Sequence, residues 1–157
     1  MTLKIDPNKS ITDLLGKYIE RTMTKWFRFT EPKPLMYKEF SSWPVPLGKD
    51  FGGIPCGMKL PNGLEDPSIV ACKNLLGATA VRNAVVYSPM SGMYWHTNAD
   101  CVGLRTYYTF SLDKAVFKYR DPKSGAIIED WDDIGWTARE FQVSSEDPLW
   151  HCVWTSG

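Results

Sequence analysis

The second half of the chain is broken into short runs of β-branched and aromatic residues, and this pattern constrains the fold more than any other feature. Such runs, separated by glycine, proline and aspartate, are typical of antiparallel strands. Residues 121–125 (Asp-Pro-Lys-Ser-Gly) predict a turn, since proline fixes φ and glycine tolerates a positive φ, so the flanking strands should form a hairpin. The predicted strands are 84–87, 104–111, 115–119, 126–128, 136–143 and 149–154.

Two helices are predicted in the first half of the chain. Apolar residues recur at helical spacing after Ser10, which predicts a helix over about 11–26 with Ser10 as a plausible cap. A second helix is predicted over 67–76, because Asp66 is a capping residue, a proline follows it, and Gly77 suits the position after the last turn. These helices should support the sheets rather than form the core.

Between the helices the sequence favours an irregular path. Residues 30–67 contain seven prolines and a Gly-Gly pair, and each proline removes a backbone donor. We expect this segment to wrap the outside of the molecule. The length of 157 residues and the 43% apolar content indicate a single folded domain, with 1–79 as helical, proline-rich support and 80–157 as the β core.

Charge and cysteine usage exclude several classes of protein. Lysine plus arginine equal aspartate plus glutamate at 18 each, so no net field favours nucleic acid or an anionic membrane. The sequence has no apolar run long enough to span a bilayer and no secretory pattern at residues 1–8. Its four cysteines form no Cys-x-x-Cys pair, which favours reduced thiols. We therefore expect a soluble, cytoplasmic protein with no membrane partner.

The only two histidines, His96 and His151, each follow a tryptophan and each lie at or near a predicted strand. Side chains two residues apart in a strand share a face, so His96 and Asn98 should point to one interior, with His151 arriving from an opposed strand. This layout predicts a metal site. In a straight strand Asn98 lies about 6.6 Å from His96, whereas Asp100 lies about 13 Å away and could join only if the chain bends.

At these residues the chain resembles the iron(II)- and 2-oxoglutarate-dependent oxygenases, especially their AlkB-like branch. The segment 85–98 (Val-Val-Tyr-Ser-Pro-Met-Ser-Gly-Met-Tyr-Trp-His-Thr-Asn) is similar to that family's strand, glycine-bearing bend and first ligand strand, and 149–153 (Leu-Trp-His-Cys-Val) to its distal ligand strand. The resemblance covers roughly residues 82–153. It implies a mainly β fold with flanking helices, namely a double-stranded β-helix of the jelly-roll or cupin type with about eight strands.

The chain also resembles short proteins of marine phages, which would place it in the host cytoplasm. The oxygenase resemblance implies iron(II) and 2-oxoglutarate as cofactors and hydroxylation of a substrate by dioxygen. It does not specify that substrate, because family members act on bases, peptides and small molecules through surface loops. A nucleic-acid substrate is compatible with the family but is not supported by the charge of this chain.

Two departures from the family pattern bear on activity. Asn98 stands where the family has a carboxylate, and a neutral amide oxygen binds iron(II) more weakly. The sequence also ends six residues after His151, so the strand that carries the family's basic anchor for 2-oxoglutarate is not expected here. An anchor could instead come from a predicted strand. The candidates for binding this co-substrate are Arg105, which we favour, and Tyr107, Lys118 and Arg139.

Other functions are compatible with the same residues. The chain could be a non-catalytic β-helix that binds a ligand and has lost the carboxylate of the metal site. Zinc bound by both histidines with Cys101 and Cys152 is disfavoured, because residues adjacent in a strand, such as His151 and Cys152, point to opposite faces. The acidic residues from 129 to 133 lack the spacing of a calcium loop and predict a solvated turn.

The seven tryptophans are a further feature, since an exposed indole can stack on a flat ligand. Most of them are expected in the core. The tryptophans that neighbour the predicted metal ligands or the adjacent loop are candidates for ligand contact: Trp95, Trp131 and Trp136.

Overall fold

A computed structural model describes the protein at residues 3–23, 33–45, 55–59, 64–99 and 101–157. The helices in these ranges are α1 (Lys9–Met23), α2 (Tyr37–Ser41) and α3 (Pro67–Leu76). The strands are β1 (Lys4–Ile5), β2 (Pro55–Lys59), β3 (Val86–His96), β4 (Gly103–Ser111), β5 (Ala115–Arg120), β6 (Ile127–Trp131), β7 (Gly135–Val143) and β8 (His151–Thr155).

The described strands form two antiparallel sheets. One has the order β1-β7-β4, and the other has the order β2-β3-β8-β5-β6. The prediction of a mainly β protein with a few helices is confirmed. Within the described residues the strands hydrogen-bond as two separate sheets and not as one closed barrel.

The two sheets face each other across an aromatic core. Phe117 of β5 and Phe141 of β7 meet with their ring centroids 6.1 Å apart, and Tyr107 of β4 lies 5.0 Å from Phe141. Because strand side chains alternate between faces, β5 and β8 supply every second residue to this core. We call the side of the five-stranded sheet that meets the three-stranded sheet its inner face.

A second core covers the outer face of the five-stranded sheet. Trp95, Trp150 and Trp154 lie there, and Phe40 of α2 packs against them without any exposed surface. The segment that carries α2 is attached by hydrogen bonds from Leu35 N to Met90 O (2.8 Å) and from Trp154 Nε1 to Leu35 O (2.7 Å). Residues 33–45 therefore wrap the outside of the sheet, as the proline content predicts.

The two predicted helices are present. Helix α3 has the predicted bounds: Asp66 Oδ1 accepts from Ser68 N at 2.8 Å, and Gly77 takes the left-handed conformation with φ 63°. Helix α1 begins two residues earlier than predicted, because the side chain of Asn8, rather than that of Ser10, accepts from the first free amides. The predicted continuation over 24–26 lies outside the described residues.

All six predicted strands are present, and two further strands come from the first half. Strand β3 extends from 86 to His96, well beyond the predicted 84–87, and it bends where Met90 adopts φ 54° after a proline. The sequence pattern missed β1 because it has two residues, and missed β2 (55–59) because proline and glycine interrupt it. None of the helices in the described ranges is long and apolar enough to cross a membrane.

Candidate functional site

The two histidines meet at one end of the interior between the sheets. His96 is the last residue of β3 and His151 the first of β8, and the antiparallel register makes them direct partners. Opposed residues of an antiparallel pair project to the same face, so the rings lie together with centroids 4.1 Å apart and planes at 58°. The predicted convergence of these imidazoles is therefore observed.

Both imidazoles are fixed in the same tautomer by their own strands. His96 Nδ1 lies 2.8 Å from Tyr94 O, and His151 Nδ1 lies 2.8 Å from Leu149 O. A carbonyl oxygen only accepts, so each Nδ1 carries the proton and donates it. In the neutral ring the Nε2 atom then keeps its lone pair, which is the state in which a histidine binds a metal ion.

The ring of His151 is held neutral by its surroundings. The residue is fully buried, and this burial, with the positive charge of His96 and Arg105, lowers its pKa well below the usual value against the opposing effect of Leu149 O. Phe117 stacks on the ring at 5.0 Å. Burial among aromatic rings disfavours an imidazolium, so His151 presents a lone pair rather than a charge at neutral pH.

Asn98 lies beside the histidines and marks a bend in the chain. Strand β3 has ended at His96, and Asn98 adopts a left-handed conformation with φ 55°. Its Nδ2 donates to Tyr107 Oη at 3.2 Å and to His151 Nε2 at 3.3 Å. The chain therefore does not continue as a straight strand through Asn98, and Asp100 itself lies outside the described residues.

The predicted co-substrate residues Arg105 and Tyr107 lie on β4, facing the histidines from the opposite sheet. Arg105 donates to Cys101 O at 3.0 Å and bonds the Tyr107 hydroxyl, which places its charge beside the loop after Asn98. Burial is the main cause that raises the pKa of Tyr107, against the lowering effect of Arg105 and Asn98. These two side chains and His151 form one polar group in an otherwise aromatic interior.

The structure does not bring the other two predicted anchors to this group. Lys118 lies on the outer face, where its Nζ donates to Ser41 O at 3.2 Å and sits 5.1 Å from the centroid of Phe40. It belongs to the opposite face because it has the opposite strand parity to Tyr119, the register partner of His151. Arg139 is buried, and its guanidinium is paired with Asp130 and Asp132.

The acidic residues after Ile128 are not a solvated turn, and that prediction is wrong in part. Arg139 Nε donates to Asp130 Oδ2 at 2.8 Å, and its Nη1 lies 2.7 Å from Asp132 Oδ1. The side chains of Arg139 and Asp132 are 3% and 5% exposed. A buried guanidinium requires anionic partners, and the β6 strand supplies one of them, while the other follows it directly.

Among the described residues, Cys101 and Cys152 are not grouped with the two histidines as a zinc site. Cys152 lies on the outer face with Lys118 as its register partner, and burial, partly offset by that lysine, raises the pKa of its thiol to about 12. Cys101 is partly buried in the loop before β4. In the part of the chain that the structure describes, no three histidine, cysteine, aspartate or glutamate residues are grouped to hold a metal ion.

Of the three tryptophans singled out as candidate ligand contacts, only Trp131 and Trp136 reach the surface. Trp95 is fully buried in the outer core, and its Nε1 has no hydrogen-bond partner. Trp131 is 37% exposed, and its ring centroid lies 5.5 Å from that of Tyr37. Trp136 is half-buried beside Phe110. None of these rings contributes to the group around the histidines.

Sequence reasoning did not identify the aromatic lining of the site. Phe117 and Phe141 surround His151, and burial together with Tyr107 raises the pKa of Tyr87 above its usual value. Strand parity could have found Phe117, since it precedes by two the residue that pairs with His151. The position of Phe141 depends on the packing of the two sheets, which no local pattern encodes.

Comparison with known proteins places this geometry in no family. No family model matches the chain, and neither a curated protein nor a solved structure matches it.

Proposed function

We propose that the chain is an iron(II)- and 2-oxoglutarate-dependent oxygenase whose metal is held by His96, His151 and the side-chain oxygen of Asn98. The observation that carries the proposal is the pair of imidazoles, with ring centroids 4.1 Å apart, whose Nδ1 atoms both donate to backbone carbonyls and leave the Nε2 atoms as the ligand nitrogens. Two such Nε2 atoms with an oxygen donor suit a divalent first-row metal. The facing antiparallel sheets are compatible with the double-stranded β-helix that the sequence resemblance implies.

The chain's own residues would hold the ligands and orient the co-substrate. Tyr94 O and Leu149 O fix the ring orientation, and Tyr107 holds the Asn98 amide. The Arg105 guanidinium, which lies 3.5 Å from Asn98 O, would face a carboxylate of 2-oxoglutarate. With iron bound, the centre would couple oxidative decarboxylation of 2-oxoglutarate to hydroxylation of a substrate by dioxygen.

A second candidate function is supported by one contact. Asn98 Nδ2 donates to His151 Nε2, so this hydrogen bond occupies the Nε2 lone pair that would otherwise bind a metal ion. This contact would favour a non-catalytic module in which the same polar group binds a ligand without metal. Rotation of the Asn98 amide by half a turn exchanges the positions of its nitrogen and its oxygen. The oxygenase and the binding module therefore differ in whether a metal ion is bound and not in the fold.

The test is anaerobic titration calorimetry with manganese(II) or iron(II), followed by 2-oxoglutarate. We expect one metal site in the wild type and at least about tenfold weaker binding in His96→Ala and His151→Ala. Circular dichroism checks that each variant is folded. A folded wild type that binds no metal would eliminate the oxygenase and leave the binding module, and metal binding without release of carbon dioxide from 2-oxoglutarate would contradict the proposed reaction.

Asn98→Asp provides a variant that gains function. A carboxylate binds iron(II) more tightly than an amide and cannot donate to His151, so metal affinity should rise by about tenfold or more. Asn83→Asp is the matched control, because Asn83 is exposed and lies outside the helices and strands. Equal affinities of the two aspartate variants would contradict the assignment of Asn98 as a ligand.

A further inference from the structure

The open edge of the three-stranded sheet differs from every other open edge among the described strands. Strand β4 (Gly103–Ser111) ends that sheet and runs nine residues in unbroken register with β7. It contains no lysine, no proline and no bulge, which are the usual features that keep edge strands from pairing with another chain. Its one charged residue, Arg105, points inward to the candidate site.

The other edge strands carry such features. Strand β1 has only two residues and includes Lys4. Strand β2 begins with Pro55 and ends with Lys59, and the five-residue strand β6 includes Glu129. Charge, proline and short length therefore mark three of the four edges, and β4 alone is long and uncharged on its exposed side.

The exposed side of β4 carries an apolar side chain near each end, with Thr106 and Tyr108 between them. Leu104 is 64% exposed and Phe110 44% exposed, and the strand is flanked by Val102 at 62% and Leu112 at 70%. Phe110 packs against Trp136 with ring centroids 5.1 Å apart and ring planes tilted at 59°. Large exposed apolar side chains along an unpaired strand are characteristic of an interaction surface.

The backbone groups of the open edge can be identified from the register. Glu140 N donates to Leu3 O, so the even-numbered residues of β7 face β1 and its odd-numbered residues face β4. The odd residues of β4, such as Tyr107, pair with those odd residues. The outward N–H and C=O groups therefore belong to the even residues of β4, which are Leu104, Thr106, Tyr108 and Phe110.

We propose that β4 pairs with β4 of a second copy of this chain, in antiparallel register about a two-fold axis at Tyr107. This register places Leu104 opposite Phe110 of the partner subunit and Thr106 opposite Tyr108 of the partner subunit, so all four outward residues are paired. Apolar side chains meet apolar ones, and Arg105 lies opposite Thr109 of the partner subunit rather than opposite itself. A two-fold contact requires such a self-complementary surface.

The pairing joins the three-stranded sheets of the two copies into one sheet of six strands. It also places the Tyr107 side chains of the two copies next to each other. Tyr107 accepts the hydrogen bond from Asn98, so the dimer would fix the strand that orders the candidate site. The proposal itself needs no metal. It stands or fails independently of the oxygenase assignment.

Sedimentation velocity over a range of concentrations tests the proposal on the whole chain. We expect the wild type to reach twice the 17.9 kDa of one chain. Thr106→Lys places a charge on the pairing edge, close to its counterpart in the partner, and should raise the dissociation constant by about tenfold or more. Thr106→Val keeps the backbone donors and should remain a dimer, as should Thr79→Lys, which adds the same charge at an exposed site away from the strands.

Hydrogen exchange on the same samples identifies the surface. In the dimer the amides of the four even residues of β4 should exchange slowly, and in Thr106→Lys they should exchange rapidly while the Tyr107 and Thr109 amides stay protected by β7. A wild type that is monomeric at every concentration would overturn the proposal. A dimer whose even-residue amides remain unprotected would overturn it as well, because the contact would then lie elsewhere.

Discussion

At the scale of single residues, buried polar side chains of the interior are held in one conformation by their ion pairs and hydrogen bonds. Arg139 is the clearest case: it is 2% exposed, it is bonded to Asp130 and Asp132, and its guanidinium lies 5.0 Å from the centroid of Phe117. Phe117 in turn stacks on His151. The ion pairs and the candidate site therefore share one aromatic ring, so a change at Arg139 should be felt at the site.

We expect Arg139→Met to lower the free energy of unfolding by about 3–5 kcal/mol, because it removes the paired cation of the buried Asp132 carboxylate, whereas Asp130 keeps its ion pair with Lys4. Lys9→Met is the control: Lys9 pairs with Asp13 on the surface with its side chain 88% exposed, and its loss should cost about 0.5 kcal/mol or less. Urea denaturation of both variants measures the difference. Similar losses in the two would show that the Arg139 network contributes nothing beyond surface pairing.

The sequence contained part of this residue-level picture. The spacing of His96, Asn98 and His151 predicted their convergence, because strand parity and opposed strands are local rules. Those rules did not reveal that Asp130 and Asp132 form ion pairs with Arg139. A run of acidic residues has the same sequence pattern whether or not a buried cation faces it. Nor did they reveal the bend at Asn98, which depends on contacts with Tyr107 in another strand.

At the scale of elements, the contact between β3 and β8 controls the separation of the two histidines. Gly92 of β3 is the register partner of Trp154, and a Cβ added there would overlap the carbonyl oxygen of Val153. Glycine is therefore required by the close approach of these strands, four residues before His96. Any side chain at this position would push the strands apart.

Gly92→Ala should lower the free energy of unfolding by about 1–3 kcal/mol through this overlap. Gly16→Ala is the matched control and should act in the opposite direction, because Gly16 lies inside α1 with nothing within 4 Å of an added Cβ. Alanine there removes the entropic cost of glycine and should stabilise the protein by about 0.5–1 kcal/mol. Thermal unfolding of the two variants decides the sign of each effect.

Predictability differed between elements for physical reasons. Helix α3 carries its boundaries in its own residues, Asp66 and Gly77, and was predicted with correct bounds. Strand β2 has no internal pattern and exists because β3 offers it a partner. Helix α2 has five residues and depends on the outer core that Phe40 fills, so its sequence alone does not specify it.

At the scale of the whole molecule, two cores lie on opposite faces of one sheet. The inner core contains the candidate site, and the outer core is covered by residues 35–45. Strand β8 contributes to both, with His151 inward and Trp154 outward. We therefore expect the position of the inner residues to depend on how the outer layer packs against the same strand.

Phe40→Ala should test this dependence. Phe40 has no exposed surface, and its truncation should cost about 3–5 kcal/mol through the cavity left in the outer core. Met36→Ala, at a side chain 56% exposed, should change stability by about 0.5 kcal/mol or less. If the layers are coupled, metal titration of folded Phe40→Ala will also show weaker binding, whereas an unchanged affinity would mean that the inner face is self-supporting.

The tautomer of each histidine is set by the carbonyl two residues earlier in the chain, at Tyr94 within β3 and at Leu149 just before β8. The tautomer of each ring is therefore determined locally by its own segment, whereas the distance between the rings is determined by the pairing of β3 with β8. An engineer could alter one without disturbing the other. Substitutions where β3 and β8 meet would change the distance between the two rings, and substitutions at the carbonyl-bearing residues would change the orientation of each ring.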